Sequence, residues 1–230
     1  ARDTRNDFFM PTRGMYQRVG LETTLPGSTV EYYKLNYEFS KYWMLHPAFV
    51  LRTGLDLGYG DSYGDDHVRA LCYTPGSYVD TDGDGKVDTW VPGPAPSEPC
   101  LPSSPDYDKT VTATGLPFFE NFYAGGTRSV RGFRDNTLGP RSEPIGGYRG
   151  QPLGGSLKTV GQIEMVFPRL FDSKAARVSA FIDFGNVYDG IDNFDAGELR
   201  ASAGVALLWR APVGPISISY AYPFKKKDGD

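Results

Sequence analysis

Met15-Tyr16-Gln17-Arg18-Val19-Gly20-Leu21-Glu22-Thr23-Thr24-Leu25 decides the fold class. On a pleated chain, Met15, Gln17, Val19, Leu21, Thr23 and Leu25 share one face, which is mostly apolar. Tyr16, Arg18, Gly20, Glu22 and Thr24 share the other, which carries charge. A period of two over this length predicts a strand with one face in an apolar medium and one in a polar medium.

The same period recurs along the chain. Tyr33, Leu35, Tyr37 and Phe39 oppose Tyr32, Lys34, Asn36, Glu38 and Ser40. After a turn at His46-Pro47, Phe49, Leu51, Thr53, Leu55, Leu57 and Tyr59 oppose Arg52, Gly54, Asp56 and Gly58. A very long connection follows, and then the pattern resumes. Ile163, Met165 and Phe167 stand against Lys158, Gln162 and Glu164, and Val178, Ala180, Ile182 and Phe184 against Arg177, Ser179, Phe181 and Asp183. Two further strands place Ala201, Ala203, Val205 and Leu207, then Ile216, Ile218, Tyr220 and Tyr222, on the apolar side.

Composition agrees with an all-β chain. Aromatics make up 14% of the 230 residues, with 15 Tyr and 28 Gly, which suits pleated surfaces and tight turns rather than helices. Mean hydropathy is -0.39 and no apolar run reaches the length of a transmembrane helix. A transmembrane barrel passes that test, because alternation halves its apparent hydropathy. The start, Ala1-Arg2-Asp3-Thr4-Arg5, has no apolar stretch of the signal-peptide kind. A net charge of -4 with scattered Lys and Arg argues against nucleic acid as a partner.

Alternation alone also fits a soluble sandwich. The polar face favours a barrel: it carries both signs repeatedly, at Arg18 and Glu22, Lys34 and Glu38, Arg52 and Asp56, Glu164, Asp183, Arg200 and Arg210, as a hydrated lumen crossed by ion pairs does. Loop parity is a second test. The connections at His46-Pro47, Pro168–Lys174 and Ala211–Pro215 fall at one end and are short, whereas Pro26-Gly27-Ser28, the giant connection after Gly60 and Asp189–Gly197 fall at the other. Trp43, Phe49, Phe167 and Trp209 cluster toward the short-turn end, where an interfacial aromatic girdle belongs.

The giant connection carries Pro117-Phe118-Phe119-Glu120-Asn121-Phe122-Tyr123-Ala124-Gly125-Gly126 and then Arg128-Ser129-Val130-Arg131-Gly132-Phe133-Arg134. With Phe181-Ile182-Asp183-Phe184-Gly185-Asn186-Val187-Tyr188 downstream, these runs closely resemble the BamA family of outer-membrane protein assembly factors, in the outer-membrane insertase/translocase superfamily. The likeness covers the chain except near residues 61–115. It implies an antiparallel transmembrane β-barrel, similar to the second half of a sixteen-stranded one with its final strand missing. Barrel strands are then expected over 1–60 (three) and 156–230 (four), an extracellular inserted module over 61–115 and a lumen-docked loop over 116–155.

The resemblance further implies that Val130-Arg131-Gly132-Phe133 locks the loop onto the inner wall at Glu164, Phe181 and Asp183. Chemistry suits that assignment, since a planar guanidinium binds carboxylates in a bidentate fork. A pin that only holds a plug, with no part in function, fits the same residues. The implied activity is insertion of nascent outer-membrane proteins without an obligatory cofactor, with accessory lipoproteins and outer-membrane lipids as partners. Two alternatives stay open: a polypeptide-exporting transporter of the same superfamily, and a passive porin or adhesin-like barrel.

Residues 61–115 depart from the family pattern. Asp80, Asp82, Asp84, Lys86 and Asp88, with Gly85, match positions 1, 3, 5, 7, 9 and 6 of a calcium loop. Val91 stands where a bidentate Glu is needed, so an EF-hand is not expected, and a Ca2+-stabilised turn and a metal-free polar turn both fit. Cys72 and Cys100 bracket this stretch and read either as one disulfide made outside the cytoplasm or as two unpaired thiols. No enzyme is indicated: His46 and His67 lack a nucleophile partner, and no serine sits in an elbow motif.

Overall fold

The structure, a computed structural model, describes residues 1–28, 30–63, 77–79, 89–91, 116–142, 150–168 and 175–227. Among them there is no α-helix. The described residues form ten strands: β1 (Arg2–Asp3), β2 (Gly14–Thr23), β3 (Tyr32–His46), β4 (Phe49–Ser62), β5 (Ser77–Val79), β6 (Thr89–Val91), β7 (Leu157–Phe167), β8 (Ala176–Tyr188), β9 (Arg200–Ala211) and β10 (Gly214–Lys225). Two units result, one from Ala1–Gly64 with Thr114–Asp230 and a smaller one from Asp65–Ala113.

The larger unit is one antiparallel sheet in the order β1-β2-β3-β4-β7-β8-β9-β10. Every long strand pairs with its neighbour in sequence, as an up-and-down barrel wall requires. The seven long strands are those the alternation marks. The short β1, paired through Arg2 with Gln17 and Asp3 with Tyr16, was not expected, because two residues are too few to show a period. Strands β7 to β10 run 11 to 13 residues and β3 and β4 run 15 and 14, long enough to cross a hydrocarbon core at a tilt.

Register aligns the faces across strands. One row on the polar side joins Tyr42, Arg52, Glu164, Phe181, Gly204 and Ala221. The next joins Ser40, Gly54, Gln162, Asp183, Ser202 and Pro223. On the opposite face Val19, Leu21, Leu35, Leu55, Ile163, Ile182, Val205, Ile218 and Tyr220 are exposed. A continuous apolar surface of this kind is costly in water and natural against lipid chains. Phe49 and Phe167 meet edge to face at 6.2 Å near the short-turn end.

The core lies between the polar face and the segment 116–142 that folds onto it. Leu116, Phe122, Ala124, Val130, Phe133 and Leu138 from this segment bury against Tyr32, Val160 and Val187 of the wall. The wall admits them where it lacks side chains: a Cβ on Gly58 would stand 2.5 Å from the Phe122 ring, and one on Gly60 would stand 2.8 Å from Leu116.

In the smaller unit, β5 and β6 pair antiparallel, Ser77 with Val91, Tyr78 with Trp90 and Val79 with Thr89. Cys72, Cys100, Asp80, Asp82, Asp84, Lys86 and Asp88 lie outside the described residues, as does His67.

Candidate functional site

The site is the seat of Arg131 on the inner wall. Gly132, at φ +91, turns the backbone in the left-handed region, so the two residues before it can press onto the sheet. A Cβ there would come within 3.1 Å of Ala221 on β10 and 3.5 Å of Ser202 on β9. Val130 has no exposed surface, and Phe133 is buried in the cluster described above.

Arg131 makes three contacts to one carboxylate. Its backbone N–H donates to Asp183 Oδ2 at 3.1 Å, its Nε to the same oxygen at 2.7 Å and its Nη2 to Oδ1 at 2.8 Å. Asp183 has no exposed surface. A carboxylate buried this far is tolerable only when its charge is matched and both oxygens accept hydrogen bonds, and Arg131 supplies both. The guanidinium carbon also lies 3.3 Å from the centroid of the Phe181 ring.

Glu164, on the adjacent strand, faces the same cation at 3.9 Å. Its closer partners are the Arg52 guanidinium at 3.1 Å and the Ser179 hydroxyl, which donates to Oε1. Arg52 also donates to Gln162 Oε1 at 3.1 Å, and Gln162 Nε2 in turn donates to the Ser129 carbonyl at 2.7 Å. An alternating chain of cations and acceptors therefore runs from the wall into the loop backbone. Ser202 Oγ, buried beside Asp183, has no hydrogen-bond partner within this site.

A second attachment holds the start of the loop. Lys34 on β3 donates to the Glu120 carbonyl at 2.7 Å, pairs with its carboxylate at 3.2 Å and lies 4.7 Å over the Phe122 ring. Sequence reading set Lys34 beside Glu38; the wall instead gives it to the loop. Likewise Arg52 pairs with Glu164 rather than Asp56, which takes Lys158 at 2.6 Å. Register explains the second, since Arg52 stands directly opposite Glu164 and cross-strand partners are closer than residues four apart on one strand. Lys34 is taken because the loop lays Glu120 over it. Gln162 and Ser179 were readable as inward but carried no signal of their partners.

An open antiparallel wall with one apolar face, and a loop seated by a buried ion pair on its polar face, is part of a transmembrane β-barrel with an inward-folded loop. The Omp85 superfamily domain matches residues 1–230, so the chain belongs to that superfamily. It is similar to the outer membrane protein assembly factor BamA of Neisseria meningitidis serogroup B, 30% identical over 256 residues, covering 100% of this chain and 26% of that protein. The assembly factor BamA of Nitratidesulfovibrio vulgaris is 33% identical over 117 residues, 50% of this chain and 14% of that protein. Among solved structures, BamA from Haemophilus ducreyi lacking POTRA domains 1–3 superposes at a TM-score of 0.68 with 27% identity, over 99% of this chain and 38% of that one. The chain thus spans about a quarter of the length of the Neisseria meningitidis protein.

Proposed function

We propose that this chain is the loop-bearing part of an outer-membrane insertase, which folds and inserts nascent β-barrel proteins, and that Val130-Arg131-Gly132-Phe133 is its lock on the inner wall. The observation that carries the lock is the bidentate seat of Arg131 on fully buried Asp183. Superfamily membership and the two relatives named as assembly factors support the activity. The client's own strand pairing and apolar burial supply the free energy, so the protein needs neither nucleotide nor catalytic residue. Its contribution is to lower a barrier in the bilayer, with accessory lipoproteins as helpers and the long loops facing outside the cell. Depletion of the full-length protein tests this: general loss of outer-membrane barrels is expected. Loss of one exported polypeptide alone would indicate a transporter, and loss of one solute flux or adhesion phenotype a passive barrel.

For the inserted module, we propose a Cys72–Cys100 disulfide enclosing a Ca2+ turn built from Asp80, Asp82, Asp84, Asp88 and the Lys86 carbonyl. The alternating Asp spacing supports it. Peptide mapping without reductant should recover the linked pair, and calorimetry should detect Ca2+ binding at millimolar or lower concentration; unlinked cysteines and no heat would leave a plain polar turn.

A further inference from the structure

At the short-turn end, β1 and β2 are joined by a turn that does not stay beside its own strands. Thr4 N–H donates to Met15 O at 2.8 Å and Asn6 N–H to Arg13 O at 3.2 Å, extending the hairpin beyond β2. The Asn6 side chain closes it, its Oδ1 accepting from the N–H groups of Thr12 and Arg13 at 2.9 and 3.0 Å. The tip then meets β8 and β9. Arg177 donates to the Pro11 carbonyl at 3.1 Å, and Arg210 lies 3.4 Å from Asp7 and 5.5 Å over the Phe9 ring. By alternation Arg177 shares the inward face of Phe181 and Asp183, and Arg210 that of Ser202 and Gly204.

The distances give this contact its meaning. Along the sheet, β2 and β8 are four strand spacings apart, roughly 19 Å. From Gly14 back to Pro11 the chain can reach only about 10 Å. The remaining distance is bridged from the other side by the Arg177 side chain, which by alternation stands on the inward face, so the tip and β8 meet over the polar face of the sheet. Met10 and Pro11 are buried there, while Phe8 is 71% exposed. Of the two polar links, Arg177 to Pro11 is half-screened from water, whereas Arg210 and Asp7 are both substantially exposed and hold the turn more weakly.

We propose that the Thr4–Arg13 turn is a strap that narrows the short-turn mouth of the lumen along this part of the wall, seated mainly by Arg177 on the Pro11 carbonyl and by burial of Met10 and Pro11. The lumen is then obstructed at two levels, by this strap and by the loop seated at Arg131.

Two measurements on the full-length protein test the strap. With Cys72→Ser and Cys100→Ser, Pro11→Cys and Arg177→Cys should be bridged in native membranes by a short, reducible bis-methanethiosulfonate. In planar bilayers, the Arg177→Ala/Arg210→Ala variant should raise the open probability on the order of tenfold, as loss of a hydrogen bond to a charged group would. If that variant fails to assemble, the bridged protein gives the same comparison before and after reduction, with conductance rising on release. Heat-modifiability on gels confirms an intact barrel in each case. No bridging in an assembled barrel, or conductance unchanged by both variant and reduction, would overturn the strap.

Discussion

Phe181 and Asp183 stand two residues apart on β8 and grip one cation between them: the ring stacks on the Arg131 guanidinium at 3.3 Å while the carboxylate takes two of its nitrogens at 2.7 and 2.8 Å. Alternation places both side chains on the inward face, so a single strand supplies the flat surface and the charge. The geometry selects arginine, because lysine offers neither a plane to stack nor a fork to bind both oxygens.

Arg131→Ala leaves Asp183 buried without its cation. The expected loss is about 3 to 5 kcal/mol locally, reduced where water enters the lumen. Arg131→Lys should recover only part of it. Urea unfolding of the full-length protein in detergent, with assembly of client barrels in cells, reads both. A lysine variant as stable and active as wild type would show that charge alone matters here.

Gly58→Val addresses the other half of the loop's seat. Its Cβ would fall 2.5 to 2.8 Å from three atoms of the Phe122 ring, which is itself buried and covered by Lys34. The ring must leave its place, at a cost of about 1 to 3 kcal/mol, as for overpacking elsewhere. Limited proteolysis should then cut between residues 116 and 142 faster than in wild type. Equal cleavage rates would mean that the loop tolerates losing this contact.

These two seats differ in how far the chain discloses them. Strands β2 to β4 and β7 to β10 are legible because polar and apolar residues alternate over their whole length, and that alternation also shows Glu164, Phe181 and Asp183 to be inward. The loop's chemistry is legible only where residue types are unusual, as at Arg131-Gly132. Lys34 gives no such sign: its partner Glu120 is far along the chain, and Glu38 is a nearer candidate on paper. Gly58 and Gly60 read as ordinary polar-face positions, since the rings that fill their space come from elsewhere. The strap is equally silent, because Arg177 and Pro11 are 166 positions apart in the chain and meet only across the folded sheet.

Glu164 is shared by Arg52 at 3.1 Å and Arg131 at 3.9 Å, so the two arginines should not act independently. Removing either leaves Glu164 one cation, and removing both leaves it with Ser179 alone. In a double-mutant cycle, Arg52→Ala and Arg131→Ala should show a coupling of about 0.5 to 3 kcal/mol. Lys158→Ala, whose partner is Asp56, serves as the control and should add to Arg131→Ala without coupling. Strict additivity of the first pair would separate the two halves of the network.

Asp7 makes the strap's turn sensitive to acid. Its Oδ1 accepts from the Met10 N–H at 2.7 Å and the Phe9 N–H at 2.8 Å. These bonds, the Met10 one first, hold its carboxyl below the usual value, with Arg210 and Arg177 adding to the effect. A depressed folded value means that the carboxylate's contribution is complete above the unfolded value, near pH 4, and is lost as pH falls through the lower one. Amide exchange at Phe9 and Met10 should therefore keep constant protection at roughly pH 5 and above, and lose it on acidification. Asp7→Asn, which cannot ionise, should flatten that profile. Protection that falls identically in the asparagine variant would assign the acid response to another group.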